Sequence, residues 1–104
     1  ALTEDGIIVT QNGVPFMQGD ELTNTMRAFQ ALFQDATCYL ATIPTYVGGP
    51  MALGWGSHST KARDVDLTTL EARFAAANLT PDYYTPEVHK AAFALPGYVK
   101  KLFP

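Results

Sequence analysis

Gly6-Ile7-Ile8-Val9-Thr10-Gln11-Asn12-Gly13 is the stretch on which the fold turns. Four β-branched residues stand in a row between two turn-forming pairs, Asp5-Gly6 and Asn12-Gly13. The run is too short and too β-branched for a buried helix and reads as a strand over 6–11. Apolar residues on consecutive positions predict a strand covered on both faces, as in a parallel sheet. In such a sheet the carboxyl end of a strand faces the ligand crevice, so Gln11 becomes a candidate polar contact. Asn-Gly at this place is also ordinary turn chemistry.

Asp20 is placed to cap a helix running to about Gln34, with Leu22, Met26, Phe29, Leu32 and Phe33 as its apolar stripe. A second strand is expected over 36–44 and a third over 51–57, joined as a hairpin by a turn containing Val47-Gly48-Gly49-Pro50. Gly54 and Gly56 flank Trp55 and suggest close approach by another backbone. Asp66 begins a further helix that stops at Asn78, and Thr85-Pro86-Glu87 begins another that runs to about Ala94. A last helical turn is expected within 97–103. The order is strand, helix, hairpin, helix, helix. A doubly wound sheet needs several more strands than this.

Composition narrows the function classes. With 104 residues the chain suits one small domain, 1–104, without a linker or internal repeat. Apolar residues reach 47% and charged residues 16%, which excludes a disordered chain and suggests apolar surface meant for a partner. The net charge is −3 and the seven basic residues are scattered, so neither nucleic acid nor a membrane surface is an expected partner. No apolar run approaches the ~20 residues of a membrane span. A single cysteine, Cys38, permits no intrachain disulfide and no cysteine zinc site, and His58 and His89 lack metal-ligand spacing, so no metal is expected. The opening Ala-Leu-Thr-Glu-Asp-Gly has no secretion-signal pattern and reads as a start in mid-sequence. No nucleophile elbow, phosphate loop or dinucleotide glycine fingerprint occurs, so no catalytic residue is assigned. The segment Ile43-Pro44-Thr45-Tyr46-Val47-Gly48-Gly49-Pro50 stands apart. It holds a phenol on a stiff turn at the mouth of the sheet, where a ring can lie along an aliphatic cation. An incidental turn tyrosine is the plainer alternative.

Three stretches resemble the polyamine aminopropyltransferases of the spermidine synthase type, in a bacterial form. The first is 2–13 followed by Phe16, Gln18 and Glu21. The second is Ile43-Pro44-Thr45-Tyr46 with Gly48-Gly49-Pro50-Met51. The third is Tyr84-Thr85-Pro86-Glu87-Val88-His89-Lys90-Ala91-Ala92-Phe93-Ala94-Leu95-Pro96. The resemblance implies an α/β chain forming the C-terminal part of a methyltransferase-like (Rossmann-like) doubly wound sheet that ends in an antiparallel hairpin. It implies transfer of an aminopropyl group from decarboxylated S-adenosylmethionine to a diamine, usually putrescine, with no tightly bound cofactor. It implies a cytoplasmic enzyme working as a homo-oligomer, usually a dimer. By the same resemblance Tyr46 lines the diamine site and Gln11 lies beside it; the resemblance assigns Trp55 no role, and it is read as packing.

The family's glycine-rich nucleotide loop and its acidic Asp-x-x-Asp motif are absent from these residues. A diamine is mostly protonated at neutral pH and needs a positioned base to become a nucleophile. The chain alone is therefore expected to be inactive and to self-associate through exposed apolar faces. A non-catalytic dimerising module and a remnant of a class I methyltransferase are the alternative readings.

Overall fold

The computed structural model describes residues 2–104; the first residue of the 1–104 domain lies outside the described residues. Its elements are β1 (Ile7–Gln11), α1 (Gly19–Leu32), β2 (Asp35–Ala41), β3 (Met51–Ser57), α2 (Leu67–Ala77), α3 (Pro86–Ala91) and α4 (Gly97–Lys100). The described strands form one sheet in the order β1-β3-β2. Both outer strands run antiparallel to β3, with Val9 and Thr37 each opposite Trp55. β1 and β2 are therefore parallel to each other, and β1-α1-β2 is a crossover unit with β3 inserted in its middle.

This corrects the expectation for the first strand. β1 pairs with an antiparallel neighbour and lies at an edge of the described sheet, not in a parallel interior. Its residues alternate between exposed and half-buried, and Ile7 and Val9 remain 40% and 44% exposed on the face away from α1. The doubly wound arrangement is accordingly not present in the described residues.

The other face carries the core. Leu22, Met26 and Phe29 of α1 are buried with Cys38, Ala52 and Val99, and Ile8, Phe33, Leu40, Leu95 and Leu102 pack around them. Each fully buried large side chain contributes about 1.5–3 kcal/mol. Gly54 and Gly56 point to this face while Trp55 points to the other. A Cβ on Gly56 would lie 2.6 Å from the Phe33 ring, and one on Gly54 would lie 2.6 Å from Thr10 Oγ1. The close approach at these glycines comes from side chains, not from a second backbone as expected.

Helix ends follow local chemistry. Asp66 caps α2 by accepting from Thr69 N at 2.9 Å, and Asn78 ends it in the left-handed region at φ 54°. Thr85 caps α3 through Val88 N at 3.0 Å, with Pro86 in the first turn. α3 stops at Ala91, short of Ala94. Asp20 is not a cap: Gln18 holds that position, and its side chain turns back to accept from Val14 N at 3.2 Å. β2 ends at Ala41, so residues 42–50 form the hairpin loop.

Candidate functional site

The carboxyl end of β1 is pinned before it meets anything else. Asn12 is buried; its Oδ1 accepts from Thr10 Oγ1 at 2.7 Å and from Gly54 N at 3.1 Å. Its Nδ2 donates to Thr25 Oγ1 of α1 at 2.5 Å. Backbone bonds from Asn12 N to Ala52 O (2.9 Å) and from Ala52 N to Gly13 O (2.8 Å) complete the clamp. One amide thus ties β1, β3 and α1 together and fixes where Gln11 and Gly13 point. Sequence reasoning saw only a turn here; the position after a strand end was the available signal.

The hairpin loop arrives from the other side. Tyr46 N donates to Ile43 O at 3.0 Å, and Gly48 and Gly49 take φ values of 94° and 132° that other residues rarely adopt. A Cβ on Gly48 would lie 2.5 Å from Met17 Sδ, so the glycine lets the loop settle on that side chain. The result brings the two sequence-chosen residues together: Gln11 Nε2 donates to Tyr46 Oη at 3.3 Å. Tyr46 stays 43% exposed. Gln11, Gly13, Val14, Gln18, Glu21, Tyr46 and Met51 line an open cleft of about 420 Å³, within the size range of small-molecule sites. Glu21 supplies the carboxylate of this lining, a placement the sequence alone did not reveal.

A second cavity, of about 240 Å³, lies under the C-terminal helices and is lined by rings that include Tyr39, Trp55, Tyr83, Tyr84 and Phe93. Three of its polar tips are taken. Tyr83 Oη accepts from Thr42 N at 3.1 Å, Tyr84 Oη bonds His89 Nδ1 at 2.8 Å, and Trp55 Nε1 donates to Asp35 Oδ2 at 3.1 Å. Arg63 Nη2 and Nε fork onto the buried Asp35 at 2.6 and 2.9 Å. The carboxylate raises the Arg63 pKa by accepting these bonds. Phe93 stacks edge-on against Trp55 at 5.4 Å, with the Arg63 guanidinium 5.7 Å from its ring centre. Trp55 therefore packs and braces. Burial lowers the His89 pKa, with Lys90 adding to the effect, and burial pushes the Cys38 thiol up to about 11. Among the described residues no group of three or more His, Cys, Asp or Glu side chains is placed to hold a metal ion.

The spermine/spermidine synthase domain family matches residues 1–68. The chain belongs to that family. It is 97% identical over all 104 residues to the polyamine aminopropyltransferase of Ruegeria sp. (strain TM1040), and it covers 37% of that relative's length. The polyamine aminopropyltransferase of Pseudomonas syringae pv. tomato is 48% identical over 98 residues, which are 94% of this chain and 34% of that protein. The fold matches the crystal structure of spermidine synthase from Thermotoga maritima with a TM-score of 0.82 at 30% identity, covering 98% of this chain and 35% of that one. A spermidine synthase in complex with the transition-state analogue AdoDATO matches with a TM-score of 0.83 at 30% identity, covering 98% and 34%. The chain thus spans about a third of the length of these family members. Among the described residues no helix is long and apolar enough to cross a membrane.

Proposed function

We propose that this chain forms the acceptor-side wall of a polyamine aminopropyltransferase acting in the cytoplasm as a homo-oligomer, with the rest of a doubly wound sheet meeting the open edge of β1. The observation that carries the reading is the meeting of Gln11 and Tyr46 at the carboxyl end of β1. Open α/β sheets bind their ligands at that end. The Tyr46 ring offers a face to a protonated alkyl amine, and the Gln11 amide offers a polar contact.

The reaction is a displacement. The neutral nitrogen of putrescine attacks the carbon beside the sulfonium of decarboxylated S-adenosylmethionine. The new C–N bond forms as the C–S bond breaks, the thioether leaves, and the extra proton on nitrogen passes to a base. This chain's residues hold and orient the acceptor; the base and the donor pocket belong to the remainder of the enzyme. The chain alone is therefore inactive in this reading.

The test is product analysis. A full-length polypeptide carrying this segment is incubated with the decarboxylated donor and putrescine, and in parallel with S-adenosylmethionine and methyl acceptors. Spermidine is the expected product. Methyl transfer with diamines ignored would make the chain a methyltransferase remnant, and no turnover by a correctly folded full-length protein would favour a dimerising module.

A further inference from the structure

Asn12 is buried, and its amide has one workable orientation. Oδ1 accepts from Gly54 N, a group that can only donate, so Nδ2 is left to face Thr25 Oγ1 of α1. Gly54 makes the room for this, since a Cβ there would lie 2.7 Å from Asn12 Oδ1. Among the described residues the Asn12–Thr25 bond is the one side-chain hydrogen bond that joins α1 to the end of the sheet.

The cleft has two walls. Gln11, Tyr46 and Met51 come from the sheet end and the hairpin, while Gln18 and Glu21 come from the start of α1. Leu22, Met26 and Phe29 hold α1 against the sheet, but apolar burial carries no direction of its own. A hydrogen bond is directional and weakens steeply when misaligned. Thr25 stands one helical turn beyond Glu21, and Asn12 follows Gln11 in the chain, so their bond ties one wall to the other. Neither Asn12 nor Thr25 lines the cleft.

We infer that Thr25, acting through Asn12, is a positioning residue for the acceptor: its hydroxyl sets the spacing of the cleft walls without touching the ligand. The inference rests on the acceptor role proposed for the cleft. Groups held in place before the ligand arrives bind it without a further ordering cost, and a shift of about 1 Å in a binding group is enough to be felt in the kinetics.

The test uses a full-length polypeptide carrying this segment. Thr25→Val keeps the side-chain shape and removes the acceptor for Asn12 Nδ2. It is expected to raise the KM for putrescine about three- to tenfold, the range spanned by one neutral hydrogen bond, with the donor KM within about twofold of the parent. KM does not depend on how much of the enzyme is folded. A merely structural role would therefore lower the denaturation midpoint and the apparent kcat and leave the putrescine KM alone. Thr25→Ser returns the hydroxyl and is expected to restore the parent KM, and Thr25→Ala gives the same reading as Thr25→Val should that variant fail to fold. An unchanged putrescine KM in the variants lacking the hydroxyl overturns the inference. So does an equal rise in Thr25→Ser, or a donor KM that rises in step. If the parent polypeptide ignores every amine, the acceptor reading itself fails and this inference falls with it.

Discussion

The two ends of the hairpin strands are built on opposite plans. At one end Asp35 is 4% exposed and accepts from both Arg63 and Trp55, with Phe93 stacked over them. At the other end Gln11 and Tyr46 share a single 3.3 Å bond in an exposed cleft, and Glu21 is left without a partner among the described residues. The first end has its polar groups satisfied within the chain, so it holds shape. The second leaves polar groups turned outward, and such groups are available to a ligand. The clamp at Asn12 separates the two plans, since it keeps the open end rigid without using the side chains that face the cleft.

The sharpest way to break this contrast is at Arg63. Removing it leaves the nearly buried Asp35 carboxylate with the Trp55 N–H alone. Arg63→Ala is expected to cost about 2–3 kcal/mol, below the fully buried figure because the Arg63 side chain is 36% exposed. Urea denaturation reads this directly. A cost under about 0.5 kcal/mol, the size of an ordinary surface change, would mean the braced end is no more structural than the open one.

A smaller effect comes from acid. Burial first, and then Lys90, hold the His89 pKa below its ordinary 6.5. As pH falls below 6.5 the unfolded chain takes up this proton before the folded one does, so stability declines and levels off beneath the folded value. Asp66 is also lowered, by its bonds from Thr69, but its loss begins only as pH falls through the carboxylate range. Denaturation midpoints are therefore expected to drop between neutral pH and about pH 5.5, and His89→Gln is expected to flatten that slope. An unaltered slope in the variant would remove His89 from the account.

Much of the architecture was legible where one residue decides one local event. β3 spans 51–57 as expected, Asp66 and Asn78 bound α2, and Thr85-Pro86 starts α3. These are contacts within a few positions, and residue type alone dictates them. Partners far along the chain were not legible. Ile7-Ile8-Val9 is apolar on both faces, yet within the described residues only the face toward α1 is covered, and the run did not tell which neighbour pairs with β1. Nothing local marks Asp35 as a buried acid; its partner, Arg63, stands 28 positions on. In the cleft, Gln11 was picked out by its place at the end of the first strand and Tyr46 by its stiff turn, while the placement of Glu21 was not legible because it depends on the missing side chain at Gly13.

The central claim is that the Tyr46 ring is one wall of an acceptor site, and steady-state kinetics of Tyr46→Ala in a full-length polypeptide carrying this segment test it most directly. Loss of the ring face is expected to lower kcat/KM for putrescine by about tenfold or more while the donor KM stays within about twofold. An unchanged kcat/KM for putrescine, or a loss confined to the donor KM, would contradict it.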